Sequence, residues 1–146
     1  MVNDVVITRS AILNAPAARV WEALTNPELT KRYYYNCEVQ SEWTPGSALR
    51  WKGTYDGRDI DAEGRILEIV PGKRVKFSGF DRLAAGDISK SGDIHITHEL
   101  VSQGTATKLL TTIDHFEGDE TRAEYAADQW DLEIMPKLQN LVESGF

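Results

Sequence analysis

The sequence predicts an α+β fold: an antiparallel β-sheet covered on one face by a long C-terminal helix, with two short helices after the first strand. Three observations predict it. A Val- and Ile-rich segment opens the chain, strands and tight turns fill residues 38–115, and a capped amphipathic stripe closes it. The 146 residues suit a single domain over 1–146. A chain of that length buries roughly two-thirds of its unfolded surface without help from disulfides or metals.

The first strand is expected over Val5–Leu13, with an imperfect alternation that assigns no face. Pro16 suits the first position of a helix, where its missing N–H costs nothing, and Val20, Trp21 and Leu24 follow at helical spacing. Asn26-Pro27-Glu28 starts a second short helix with an Asn cap, a Pro at the first position and a carboxylate near the positive end. Pro45-Gly46, Asp56-Gly57 and Pro71-Gly72 mark turns between strands. Trp51, Gly53 and Tyr55 share one side of their strand. Ile94, Ile96, His98 and Leu100 form a buried face on another, and Leu109, Thr111 and Ile113 on the next. The longest polar stretch, Asp81–Asp93, reads as a loop that either covers a pocket or lies idle on the surface. At the end, Thr121-x-x-Glu124 is a capping box. Ala127, Trp130, Ile134, Leu138, Leu141 and Val142 make an apolar stripe, and Gly145 is a stop. Pro136 inside this helix is expected to remove one hydrogen bond and bend it.

Composition excludes several functions. Sixteen basic against 23 acidic side chains leave a net charge of −7, which repels phosphate backbones and anionic lipid, so neither nucleic acid nor membrane is an expected partner. The lone Cys37 excludes an intramolecular disulfide and multi-cysteine metal sites; without a neighbouring base it reads as a passive thiol. No run approaches the roughly 20 apolar residues of a membrane span, and no signal segment is visible, so a cytoplasmic protein is expected.

A one-sided apolar helix must bury that side, and the sheet is the available partner. A twisted sheet cannot follow a straight helix along its whole length, so a pocket is expected between them. Trp51, Tyr55, Phe77 and Trp130, with Ile134 on the helix stripe, are placed to face inward; Trp43, Phe80 and the cluster Tyr33–Tyr35 are placed at a mouth. Any one such ring considered alone reads as core packing; the set as a whole reads equally as core or as ligand wall. A hairpin turn at Gln103-Gly104 pairs residues whose numbers sum to about 207. This sets His98 opposite Leu109 and His115 past the strand end, with His95 on the other face. No metal site is expected from these histidines. His98 is the one predicted to face inward, as a satisfied core residue or a hydrogen-bonding group for a guest. Asp59, Asp61 and Glu63 read as a solvated strand face, and Lys73-Arg74-x-Lys76 as a basic sheet edge.

The passage Ala15-Pro16-x-x-x-Val20-Trp21-x-x-Leu24-Thr25-Asn26-Pro27 resembles the opening of the SRPBCC superfamily (START, polyketide cyclase and Bet v 1-like proteins), in its activator of Hsp90 ATPase homologue 1-like (AHSA1-like) branch. Pro45-Gly46 before Trp51, Gly64-Arg65-Ile66-Leu67-Glu68-Ile69-x-Pro71 and Thr107-Lys108-Leu109 before the terminal helix extend the resemblance over nearly the whole chain. Gly46-Ser47 stands where many members carry Gly-Gly. The resemblance implies the helix-grip fold, a curved antiparallel sheet wrapped around the last helix.

The expected function is a binding module for a small, mainly hydrophobic molecule, with Tyr33, Trp43, Trp51, Tyr55, Phe77, Phe80, His98, Trp130 and Ile134 as candidate ligand-binding residues. No catalytic residue, cofactor or metal is assigned. Two alternatives stand beside it: a cyclase- or aromatase-like enzyme using the same cavity, and a stress-response or Hsp90 co-chaperone-type interaction domain. The chain is expected to act as a monomer or homodimer.

Overall fold

A computed structural model describes residues 5–78, 94–116 and 118–145. Strand β1 (Ile7–Leu13) is followed by helices α1 (Ala17–Thr25) and α2 (Pro27–Thr30). Strands β2 (Glu38–Ser41), β3 (Ala48–Tyr55), β4 (Arg58–Val70), β5 (Arg74–Ser78), β6 (His95–Gln103) and β7 (Ala106–Asp114) come next. A C-terminal rod closes the fold: α3 (Glu120–Asp128), a π-helical segment (Gln129–Ile134) and α4 (Met135–Ser144). The strands form one seven-stranded antiparallel sheet in the order β1-β7-β6-β5-β4-β3-β2. This is the predicted α+β helix-grip architecture. The Asp81–Asp93 loop lies outside the described residues.

The inner face of the sheet carries Leu49 and Trp51, Ala62 and Ile66, Val75 and Phe77, Ile96, His98 and Leu100, and Thr107, Leu109, Thr111 and Ile113, all buried. The rod lays Ala123, Ala126, Trp130, Ile134, Leu138, Leu141 and Val142 onto it. β1 alternates poorly because its second inner-face position is Arg9, paired across the ladder with Thr111. Arg9 reaches over the sheet edge to the rod, where Nε and Nη2 donate to Asp131 at 2.9 and 3.1 Å. The pair is half exposed, so it aligns the rod more than it stabilises it, at about 0–1 kcal/mol.

Several local expectations shift. Asp119, not Thr121, caps the last helix, its carboxylate accepting from the Arg122 N–H at 3.1 Å. Pro16 sits one residue before α1, as its N-cap. The last hairpin turns at Gly104-Thr105 rather than Gln103-Gly104, so paired numbers sum to 209 and His98 faces Thr111, not Leu109. A two-residue shift preserves the pleat, which is why the buried face was still read correctly. Arg74 and Lys76 lie on β5, between β4 and β6, and not on an edge. Arg74 pairs with Glu99 and Glu68, and Lys76 approaches Glu68 at 3.9 Å. Asp59 and Asp61 face solvent as expected, bonded to Thr54 and Arg50.

Pro136 is accommodated differently from a simple kink. In a regular α-helix its ring would press on the carbonyl of Leu132, one turn back. The wider π segment lies just before it, and the Met135 N–H donates to the Trp130 carbonyl, five residues back.

Two glycines let segments cross the sheet closely. A Cβ at Gly53 would lie 2.2 Å from the Asn36 carbonyl oxygen, and one at Gly64 would lie 1.9 Å from that of Ser78. Both obstacles are backbone atoms, so something must move. Gly53→Ala and Gly64→Ala are each expected to lower unfolding free energy in urea by about 2 kcal/mol or more; a loss below about 0.5 kcal/mol in either would refute the close approach.

His98 is 1% exposed. Its Nδ1 meets Thr111 Oγ1 at 3.1 Å, and burial pushes its pKa from the usual 6.5 down to about 3. The folded protein therefore holds a neutral imidazole where the unfolded chain takes up a proton. Stability from this group is complete above pH 6.5 and is lost as pH falls from there toward 3, by at most about 4–5 kcal/mol. Removing the imidazole in His98→Met should flatten the pH dependence of the urea midpoint between pH 7 and 4; an undiminished slope would show that other groups carry it.

Candidate functional site

Two spaces of different size are walled by the described residues, one against the inner face of the sheet and one at its rim beside the rod. The inner one is a void of about 10 Å³ lined by Leu24, Tyr34, Val39, Trp43, Leu49, Trp51, Val75, Phe77 and His98. That is about the space of one water molecule. It is small because rings fill the interior in a continuous layer. Trp51 meets Phe77 with centroids 5.8 Å apart, Phe77 meets His98 at 5.9 Å, and His98 meets Trp130 at 5.4 Å. Within this layer Trp51 Nε1, His98 Nε2 and Trp130 Nε1 are buried without a hydrogen-bond partner among the described residues. Two are donors only, and the neutral imidazole offers whichever role its tautomer leaves.

The outer space is a groove of about 290 Å³ at the rim, lined by Tyr35, Tyr55, Arg58, Tyr125, Asp128, Gln129, Leu132 and Glu133. One lip is the β3–β4 hairpin, where Asp56-Gly57 turns with both φ angles positive (52° and 77°). The other is the rod at the end of α3 and in the π segment. Tyr35 reaches the groove through a strained loop: Tyr35 and Asn36 are both left-handed (φ 49° and 58°). Asn36 is clamped on β3, where its Nδ2 donates to the Thr54 carbonyl at 3.2 Å, over the bare backbone of Gly53. Tyr35 then stacks edge-on against Tyr55, centroids 5.2 Å apart. Burial pushes the Tyr35 phenol well up, helped by the nearby charge of Glu133, so it stays protonated. Its Oη is buried without a partner among the described residues.

The residues singled out in the sequence divide between these places. Trp43, Trp51, Phe77 and His98 line the inner void, and Tyr55 lines the groove. Trp130 closes the ring layer and Ile134 is buried in the core. Tyr33 is also buried, its hydroxyl donating to the Ala23 carbonyl at 2.6 Å, which ties the tyrosine cluster to α1. Phe80 lies outside the described residues. Cys37 is buried, and burial pushes its thiol up to about 11, which suits a passive group. His95 and His115 stack with centroids 4.0 Å apart, on the face opposite His98. Among the described residues no group of three metal-ligating side chains occurs.

Sequence reasoning missed Arg58, Tyr125, Asp128, Gln129, Leu132 and Glu133. A signal existed for two of them: Tyr125 and Leu132 are apolar residues off the helix stripe, 50% and 73% exposed. It also missed the role of Ser47. Its hydroxyl donates to the Thr44 carbonyl at 2.6 Å and meets Ser41 Oγ at 3.3 Å, while Ser41 Oγ accepts from the Trp43 N–H at 3.0 Å. These bonds hold Trp43 in a left-handed backbone conformation (φ 55°) above the void.

Comparison with solved structures finds the same fold repeatedly. A protein of Cytophaga hutchinsonii is 26% identical, with 98% of this chain and 94% of that chain covered at a TM-score of 0.71. A protein of Mesorhizobium loti is 20% identical, with 96% and 98% covered at a TM-score of 0.76. A protein of the dynemicin biosynthetic locus is 17% identical, with 98% and 49% covered at a TM-score of 0.74. No curated protein matches the sequence significantly. No helix among the described residues is long and apolar enough to cross a membrane. The family model for the activator of Hsp90 ATPase homolog 1-like protein matches residues 14–143, nearly the full length of the fold just described, and this chain belongs to that AHSA1-like family.

Proposed function

We propose that the chain is a binding module for a small, mainly hydrophobic molecule, held where the sheet and the C-terminal rod part at the rim. The single domain acts in the cytoplasm. The observation that carries this reading is the groove of about 290 Å³ walled by Tyr35, Tyr55, Tyr125 and Leu132. Those side chains offer large apolar area at a site that approaches the size of small-molecule pockets. Burial of a guest's apolar surface supplies the driving force, at about 25 cal/mol per Å² before association costs. The inner void beside the ring layer takes no more than a water.

An enzymatic reading has less support. His98 is neutral and buried, and no carboxylate or thiol contacts it among the described residues to form an acid–base pair. A chaperone-docking reading needed an exposed patch from Tyr33–Tyr35 and Trp43. Tyr33 and Tyr34 are buried, and Tyr35 and Trp43 pack against the core.

Leu132 lies on the groove wall and is largely exposed. Leu132→Ser should change stability by less than about 0.5 kcal/mol while weakening a neutral fluorescent probe, N-phenyl-naphthylamine, by about fivefold. Probe affinity unchanged in the folded variant would overturn the placement of the site.

A further inference from the structure

We propose that the rim groove selects a primary ammonium group carried on an apolar body; this names the ligand class for the apolar-binding reading and rests on it. The groove is a rich set of acceptors with a cation-attracting wall. Three phenol rings, Tyr35, Tyr55 and Tyr125, surround it, and the negative faces of such rings attract cations. Asp128 and Glu133 bring carboxylates from the rod, and neither forms an ion pair among the described residues. Between them stands Gln129, only 8% exposed and lining the groove, whose side-chain amide makes no hydrogen bond among the described residues. The buried Tyr35 Oη is unpartnered as well.

These groups fit one donor pattern. A primary ammonium presents three N–H donors and no lone pair. Gln129 Oε1, Tyr35 Oη and the two carboxylates accept; the rings and Leu132 cover the hydrocarbon. A neutral hydroxyl satisfies one acceptor and leaves the carboxylates uncompensated. A carboxylate ligand faces two like charges. Arg58, on the opposite lip, is the one cation lining the groove, and it forms no ion pair among the described residues. It opposes an incoming ammonium, so its removal strengthens binding.

The test is calorimetric titration of the full chain with phenylbutylammonium, phenylbutanol and phenylbutyrate, which share one hydrocarbon body. The ammonium should bind about tenfold more tightly than the alcohol, the carboxylate should bind most weakly, and the preference should shrink as salt is raised. The double variant Asp128→Asn, Glu133→Gln should lose about tenfold for the ammonium and little for the alcohol, while Arg58→Gln should gain. Equal affinities for the three compounds would overturn the charge selection and leave apolar binding standing. Failure of all three to bind would overturn the groove as a binding site, and with it both readings.

Discussion

The packing of one ring layer determines where this molecule has room. Trp51, Phe77, His98 and Trp130 form a chain of contacts from β3 across β5 and β6 to the rod. They act as a spacer, holding the rod off the concave sheet while filling the gap they create. Helix-grip geometry by itself leaves space along the whole seam. Here the layer occupies the middle of the seam, and the larger of the two spaces walled by the described residues lies at the rim. The ring nitrogens inside the layer are the cost of using tryptophan and histidine as fillers, because each is a buried polar atom that no protein group among the described residues satisfies.

Two backbone devices turn that rim into a shaped site. The π segment lies next to Pro136 and widens the rod locally, with the Met135 N–H donating to the Trp130 carbonyl five residues back. It directs Trp130 and Ile134 inward, while Leu132 and Glu133 stand at the groove. The second device is the left-handed pair Tyr35–Asn36 pressed onto Gly53, which carries a tyrosine from the loop after α2 to the hairpin lip. Both devices are local irregularities in otherwise ordinary elements. Such irregularities cluster at functional sites because they aim side chains that regular structure would place elsewhere.

The architecture was legible because it rests on periodicity and turn chemistry. The alternation around His98 and the stripe through Trp130 and Leu138 each bury one face, and the Asn26-Pro27 start is capped as its chemistry requires, with Asn26 Oδ1 accepting from the Glu28 N–H at 2.9 Å. Long-range register was less legible. A turn displaced by one residue changed His98's partner without changing its face. The basic segment at Lys73 lay inside the sheet because strand order cannot be read from local composition. The groove was largely hidden for a related reason. Gln129, Leu132 and Glu133 are brought together with Tyr35 and Arg58 by tertiary packing, and in sequence the mostly polar stretch around them looks like an ordinary solvated helix face. The ring set was visible as a set, but whether large rings line a space or fill it depends on packing that no spacing rule encodes.

The proposed ligand site is the rim and not the ring layer. Mapping amide and side-chain NMR shifts during titration with phenylbutylammonium tests it most directly. Shifts should concentrate at Tyr35, Tyr55, Tyr125, Gln129 and Leu132, with the indole N–H signals of Trp51 and Trp130 and the imidazole of His98 left in place. Large movements of those three ring signals, with the rim tyrosines silent, would contradict it and return the binding site to the interior.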